Sequence, residues 1–187
     1  MKKWYAKSKR PGREQVEVKE HLYAVGKLSK EFGSQVGMEK EAEIAGTVHD
    51  AGKFTDKFQA VLEGEASRVD HARVSAAFLW WFLIKTSRYT KESISRTNYA
   101  PILEAINAHH GTLLCYDHLK HALCECMTAQ KWLEGNDGKE IALTGEANYK
   151  TLKEIFCGEL PEWKRIGITK IMLREEERML WSRLLLS

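Results

Sequence analysis

The sequence predicts an all-α protein that folds as a compact helical bundle. Apolar residues recur every three to four positions over most of the chain, and no stretch shows the strict alternation typical of a half-buried strand. Hydrophobic residues make up 43% of the 187 residues and charged residues 29%, which is typical of a globular domain with a real core. We therefore expect one domain over residues 1–187.

Six helices are predicted in the first part of the chain from apolar spacing and from end signals. They are expected at residues 21–36, 39–51, 55–62, 71–85, 99–110 and 116–133. Gly37, Gly52 and Gly111 follow the first, second and fifth of them, as glycine often follows a helix end. Asp70 precedes the fourth helix, where a short polar side chain commonly caps free backbone N–H groups.

The remaining segments are predicted from turn residues and from a final apolar pattern. Residues 1–18 are expected to be irregular, with a turn at Pro11-Gly12. Residues 134–148 are expected to form a loop, and a last helix is expected over residues 166–186. The chain ends in an apolar run without a helix stop signal, which favours a polypeptide cut from a longer one or lacking an ordered continuation.

The first predicted helix carries a histidine on its apolar face. Val25, Leu28 and Phe32 lie four, seven and eleven residues after His21, so the four side chains are expected to share one inward stripe. A lone histidine at such a position is more often a hydrogen-bonded core residue than a metal ligand, because buried polar groups readily find partners. One such histidine therefore predicts no chemistry.

Four further histidines and one aspartate change this interpretation. His71, His109 and His110 extend the apolar faces of the fourth and fifth helices, and His49 and Asp50 are adjacent in the second. Five inward histidines would each need a partner in a small core, and a shared metal centre satisfies them together. Imidazole with carboxylate suits Mn, Fe, Co, Ni or Zn better than Mg or Ca. The pattern predicts a transition-metal centre in the core.

The order and spacing of these residues form an extended set of motifs. The set consists of His21, His49-Asp50-Ala51-Gly52-Lys53, Asp70-His71 and His109-His110-Gly111, with flanking segments Tyr5-Ala6-Lys7-Ser8, Lys57-Phe58-Gln59, Ala105-Ile106 and residues 183–187. It resembles the HD nuclease domain of the CRISPR-associated helicase-nuclease of type I interference systems, a branch of the HD superfamily of metal-dependent phosphohydrolases. The resemblance covers about residues 4–113 and extends to the last predicted helix.

The resemblance implies two divalent transition-metal ions, Mn, Fe, Co or Ni, within the bundle. Their ligands would be His21 and His49 on one ion, His71, His109 and His110 on the other, and Asp50 as the bridge. Asp50 and Lys53 would be the catalytic residues, with Lys53 reaching the scissile phosphate or its developing charge. The family usually adds an aspartate after a segment like residues 183–187, so the resemblance also implies that one ion is weakly held or absent.

The first thirteen residues form a basic segment without an acidic residue. Lys7, Lys9 and Arg10 within it are predicted to contact nucleic-acid phosphates, although a solvated basic terminus would have the same composition. The net charge of the whole chain is only +3, which permits nucleic-acid binding without arguing for it.

Neither a membrane span nor a signal peptide is predicted. The longest apolar run, residues 76–84, is much shorter than the roughly 20 residues that cross a bilayer. The N-terminus is charged and aromatic, unlike a secretory signal. The four cysteines form no zinc-binding pattern. Because no secretory signal is predicted either, we expect a cytoplasmic protein, whose reducing surroundings keep the thiols free.

The resemblance implies a metal-dependent nuclease domain that hydrolyses phosphodiester bonds of single-stranded DNA in CRISPR interference. No Walker-type phosphate loop occurs in the sequence, so the implied partners are a fused or separate helicase and an effector complex that displaces the DNA strand. Two alternatives share parts of the pattern. One is an HD-type nucleotide phosphohydrolase or cyclic-nucleotide phosphodiesterase, and the other is a catalytically decayed binding module.

Overall fold

The helices account for most of the architecture. A computed structural model describes residues 2–86, 94, 99–129, 133–134 and 138–163. Within these residues the chain is an all-α bundle with one 3-10 helix, Ala51–Lys53, and one small two-stranded sheet. The helices are α1 Val18–Ser34, α2 Glu39–Val48, α3 Asp56–Glu63, α4 His71–Thr86, α5 Tyr99–Ala108, α6 Tyr116–Thr128 and α7 Glu146–Glu159.

Local hydrogen bonds set the helix ends that matter for the site. α2 ends at Val48, earlier than predicted, because the chain tightens into the 3-10 helix directly afterwards. The Thr55 hydroxyl accepts from Phe58 N–H at 3.3 Å and donates to the Gly52 carbonyl at 2.8 Å, so it caps α3 and ties it to this 3-10 helix. α5 ends at Ala108, two residues earlier than predicted.

The prediction that the chain contains no strand was wrong at one place. α6 ends at Thr128, and Leu133–Glu134 pairs antiparallel with Glu140–Ile141. Backbone N–H of Glu140 donates to the Arg68 carbonyl at 3.3 Å, and its carbonyl accepts from Asp70 N–H at 2.9 Å. The second strand therefore holds the chain just before α4 in place, a tertiary contact that the local sequence pattern does not reveal.

Two other predictions concern the C-terminal part. Residues 134–148 were predicted as a loop, but α7 already begins at Glu146, after Gly145. The predicted last helix at residues 166–186 lies outside the described residues.

Residues 5–17 form no helix or regular strand, as predicted, but they fold back on themselves through isolated backbone bridges. Bridges join Tyr5 to Glu17 near its base and Arg10 to Arg13 at its tip. The predicted turn lies between Arg10 and Arg13, and its Gly12 has a φ of 72°. A proline followed by a glycine at positive φ is typical of a type II turn. We call residues 5–17 the N-terminal arm.

α4 is the central helix of the core. Phe78, Leu79, Trp80 and Leu83 are all fully buried although they point in different directions around the helix. A helix that is apolar on every side must be covered on every side, and α5, α6, α7 and the 3-10 helix pack around it. Among the residues that the structure describes, α4 included, no helix is long and apolar enough to cross a bilayer.

α1 packs on α2 through small residues. A Cβ on Gly26 would clash with the Thr47 hydroxyl, and a Cβ on Gly46 would lie 2.5 Å from Ser29 Oγ and 2.9 Å from the Val25 carbonyl. The two helices thus approach more closely than larger side chains would permit. This approach brings the N-terminal turn of α1 beside the end of α2.

The predicted inward stripe of α1 is wrong over most of its length. Leu28 and Phe32 are 51% and 62% exposed, whereas Val18 and Leu22 are fully buried. The glycines select a different face of α1 for contact with α2, so the larger apolar side chains point away from the interface.

Gly46→Ala is expected to lower the free energy of unfolding by about 1–3 kcal/mol, because an added methyl group overpacks the interface. Gly158→Ala is the matched control: it lies within α7, nothing lies within 4 Å of its added Cβ, and alanine is favoured in a helix by about 0.5–1 kcal/mol. Urea unfolding measures both variants. Equal stabilities would show that the interface has room for a methyl group.

Candidate metal centre

The carboxylate of Asp50 lies at the centre of a histidine cluster. It directly precedes the 3-10 helix and is 2% exposed. Its Oδ2 lies 3.0 Å from His21 Nε2 and 3.2 Å from His49 Nε2. Its Oδ1 lies 3.1 Å from His71 Nε2 and 3.3 Å from His109 Nε2. One buried side chain therefore meets imidazoles from four separate parts of the chain.

His110 completes the cluster. Its ring centroid lies 5.1 Å from that of His71 and 4.2 Å from that of His109. Burial, together with the neighbouring rings of His109 and His71, lowers the pKa of His110 to about 4. The ring is therefore neutral at pH 7 and keeps a lone pair for a ligand.

The donor atoms fall into two groups that share Asp50. Within each group one donor atom per residue lies within 4.8 Å of the others. The groups are Asp50, His71, His109 and His110, and His21, His49 and Asp50. The structure thus brings together all six residues that the sequence predicts as ligands, and their binding of metal stays a prediction.

Several buried polar atoms of the cluster make no well-formed hydrogen bond in the described part of the chain, although Asp50 and the imidazoles lie close together. They include both ring nitrogens of His71, Nε2 of His109 and Oδ1 of Asp50. Such an atom costs about 1–3 kcal/mol when it stays unsatisfied. Donor atoms that each lie about 2.1 Å from one ion are themselves separated by about 3 Å. The Asp50 oxygens lie 3.0 to 3.3 Å from the nitrogens of four imidazoles. The donor set therefore fits a divalent transition metal.

Backbone carbonyls orient two of the imidazoles. Nδ1 of His49 lies 2.8 Å from the Gly46 carbonyl, and Nδ1 of His109 lies 2.7 Å from the Ile106 carbonyl. A carbonyl only accepts, so Nδ1 donates to it in each ring, and Nε2 of each ring faces Asp50. Such outer contacts commonly set the tautomer of histidine ligands.

Gly52 positions the start of α4. A Cβ at this residue would clash with the His71 carbonyl. The Gly52 N–H donates to the Ser75 hydroxyl at 2.8 Å, and that hydroxyl donates to the His71 carbonyl at 2.8 Å. Asp70 accepts from Arg73 N–H at 2.9 Å, as expected for an N-cap, so it supports His71 from the other side.

Asp50 is held in its anionic form. Burial alone would raise the pKa of its carboxyl group, but the close imidazoles of His109, His21, His49 and His71 outweigh burial and hold this pKa well below its usual range. A buried carboxylate is stable only with such partners.

Lys53 adds a positive charge to the cluster. It is 7% exposed, and its Nζ lies 2.7 Å from Asp50 Oδ2. The same ammonium donates to the Ala6 carbonyl at 3.2 Å and lies 5.4 Å from the centre of the Phe58 ring. Predicted from the sequence to reach a phosphate, Lys53 lies here between the carboxylate and the base of the N-terminal arm.

Lys7, Lys9 and Arg10 are all exposed on the N-terminal arm. Their segment continues directly from Ala6, whose carbonyl accepts from Lys53. The structure therefore places the predicted phosphate-binding residues on the segment that leaves the metal centre, although not among the ligand candidates.

Sequence reasoning assigned no role to two residues of α3. The Phe58 ring packs edge-on against His71 at a centroid distance of 5.0 Å. Gln59 is 9% exposed, and its side-chain amide binds backbone groups of Tyr5 and Lys53. The available signal was the segment Lys57-Phe58-Gln59 within the resemblance, which does not indicate what these residues contact.

The fold and the cluster agree with the comparison with protein families. Residues 18–134, more than half of the chain, match the HD domain, so the chain belongs to the HD domain family. HD domains bind divalent metals and are typically metal-dependent phosphohydrolases. Neither the curated proteins nor the solved structures contain a match to the chain.

Mn²⁺ or Ni²⁺ is expected to raise the melting temperature of the wild-type protein, because an ion that binds only the folded state stabilises it. At about 100 times the dissociation constant the gain is about 2.7 kcal/mol, or roughly 5–10 °C for a domain of this size. Asp50→Ala should abolish the shift, and a chelator should reverse it in the wild type. His121→Ala, at a side chain 78% exposed, should keep it. An unchanged shift in Asp50→Ala would exclude Asp50 as a ligand.

Proposed function

We propose that the chain is a metal-dependent nuclease domain that cuts single-stranded DNA in a type I CRISPR interference system. The observation that carries the proposal is the carboxylate of Asp50, shared between two groups of imidazoles beside a basic arm. Two ligand groups with one bridging carboxylate suit a two-metal phosphodiesterase. The extended resemblance of the motifs, from Tyr5 to Gly111, supports the narrower assignment to this nuclease family.

In the proposed hydrolysis of a phosphodiester, the clustered residues would bind metal and the basic residues would bind phosphate. His21, His49 and Asp50 would hold one ion, of Mn, Fe, Co or Ni, and Asp50 with His71, His109 and His110 would hold a second. Bound ions would polarise the phosphodiester and lower the pKa of an attacking water. The Lys53 ammonium stands beside Asp50 and would stabilise negative charge on the phosphate. Lys7, Lys9 and Arg10 would bind the phosphates that flank the scissile bond.

The proposal includes partners and a place in the cell. A domain without a Walker-type loop does not unwind DNA by itself, so a fused or separate helicase and a strand-displacing effector complex would deliver the substrate. We place this assembly in the cytoplasm, where DNA-directed interference acts.

Circular single-stranded DNA incubated with the wild-type protein is expected to be cut in Mn²⁺, Co²⁺ or Ni²⁺, and to stay intact in EDTA. His49→Ala and Asp50→Ala should each lose at least about a hundredfold in rate, because both remove contacts at the shared carboxylate. Gel analysis of the circle detects a single internal cut.

The same preparations should be tested on deoxynucleoside triphosphates and cyclic nucleotides. Faster hydrolysis of these small substrates than of DNA would replace the nuclease by an HD nucleotide phosphohydrolase or cyclic-nucleotide phosphodiesterase. A folded protein that holds well below one metal ion per chain and cleaves nothing would indicate a decayed binding module.

Replacing Lys7, Lys9 and Arg10 together by alanine is expected to weaken binding to single-stranded DNA. The slope of log affinity against log salt should fall by about 2, since each lost phosphate contact on a single strand contributes about 0.7. Fluorescence anisotropy over a salt series measures this. The control removes three exposed lysines from other elements, Lys27, Lys40 and Lys150. An equal loss in both triple variants would mean that net charge alone attracts DNA.

A further inference from the structure

We propose that Gln59 is a positioning residue, which holds the N-terminal arm at the metal centre so that the arm guides a nucleic-acid strand into it. This inference rests on the proposed nuclease function and adds to it a residue that acts through the arm. It starts from the hydrogen bonding at the base of the arm.

The pairing of the arm leaves one residue with two free backbone groups. Ala6 N–H donates to the Val16 carbonyl at 2.9 Å, and Val18 N–H donates to the Trp4 carbonyl at 2.8 Å. Between these bonds, Tyr5 faces Glu17 as a non-hydrogen-bonded antiparallel pair. In such a pair the N–H and C=O groups point away from the partner strand. The backbone of Tyr5 therefore needs partners on the outer edge of the arm.

The side-chain amide of Gln59 binds both groups. Its Oε1 accepts from Tyr5 N–H at 3.0 Å, and its Nε2 donates to the Tyr5 carbonyl at 3.0 Å. The same Nε2 donates to the Lys53 carbonyl at 2.9 Å. The side-chain amide of Gln59 thus makes the two hydrogen bonds that a neighbouring β-strand would make to Tyr5. It also joins the arm to the segment that carries the ligand candidates.

A second buried side chain binds the next residue of the arm. The Lys53 ammonium donates to the Ala6 carbonyl, while the Lys53 carbonyl accepts from Gln59. The backbone of Ala6 is therefore attached to Lys53, which contacts Asp50, and the backbone of Tyr5 is attached to Gln59, which binds Lys53. Phe58, the neighbour of Gln59 in α3, packs on His71, so one helix turn contacts both the arm and a ligand candidate.

The attachment determines where the charges of the arm lie. Lys7 follows Ala6 directly. Arg10, at the tip of the arm, is at most about 13 Å from Ala6 along an extended chain. Lys7, Lys9, Arg10 and Arg13 are exposed on this stretch. A nucleic-acid strand bound to these residues would run to the metal centre, provided that the base of the arm keeps its position beside Lys53.

The arm should stay folded without the amide of Gln59. Trp4 is 8% exposed and packs edge-on against Phe54 with ring centroids 6.1 Å apart, and the two backbone bonds at Ala6 and Val18 remain. Loss of the amide is therefore expected to change the direction and mobility of the arm rather than unfold the domain.

Gln59→Met tests the inference, because methionine keeps the length of the side chain and removes its hydrogen bonds. We expect the KM for single-stranded DNA to rise about tenfold while kcat changes less than twofold, because the arm contacts DNA and the ligands are untouched. DNA affinity measured by anisotropy in EDTA should fall about tenfold, with a smaller salt slope. Amide hydrogen exchange at Tyr5 should accelerate in the same variant.

Gln35→Met is the matched control, since Gln35 is exposed just after α1 and should change none of these quantities. Gln59→Glu is the second variant if Gln59→Met does not fold. It keeps an acceptor for Tyr5 N–H but loses both donors, so it should reproduce the rise in KM.

Two outcomes would overturn the inference. One is a fall in kcat with unchanged KM and unchanged DNA affinity, which would mean that Gln59 supports the metal ligands through Lys53. The other is wild-type exchange at Tyr5 with wild-type affinity. If the wild type cleaves no DNA in any metal, the proposed nuclease function fails, and binding in EDTA together with exchange at Tyr5 still decides the role of Gln59.

Discussion

The buried carboxylate of Asp50 is the interaction on which the rest of the structure depends. An anionic group that is 2% exposed is stable only when positive or hydrogen-bonding groups surround it, and here four imidazoles and one ammonium do so. These groups come from the start of α1, the end of α2, the 3-10 helix, the start of α4 and the end of α5. The positions of five chain segments are thus set by one side chain.

This convergence explains why small residues lie where they do. Gly46 admits α1 close enough for His21 to reach Asp50, and Gly52 admits the His71 carbonyl. Larger side chains at either place would separate the segments that the carboxylate joins. The glycines thus contribute to the site through distance alone, with no chemistry of their own.

The all-α fold and the six clustered residues could be predicted because both depend on local signals. The order of the His and Asp motifs identifies the set, even though His49, His109 and His110 lie just beyond the helix ends. The face of α1 that becomes buried could not be predicted, because Leu28 and Phe32 are more apolar than the Gly26 face that α2 contacts. The contact between Gln59 and Tyr5 joins residues 54 positions apart through a backbone, which leaves no trace in residue type.

The pairing of Tyr5 with Glu17 also limits how the arm can change in length. One residue inserted between Trp4 and Ala6 would reverse which backbone groups face outward, and Gln59 would meet the wrong edge of the strand. Residues added at the turn, beyond Arg10, leave this alternation intact. Insertions are therefore tolerated at the tip of the arm and excluded at its base. The length of the arm can vary, while its attachment beside the metal centre stays constant.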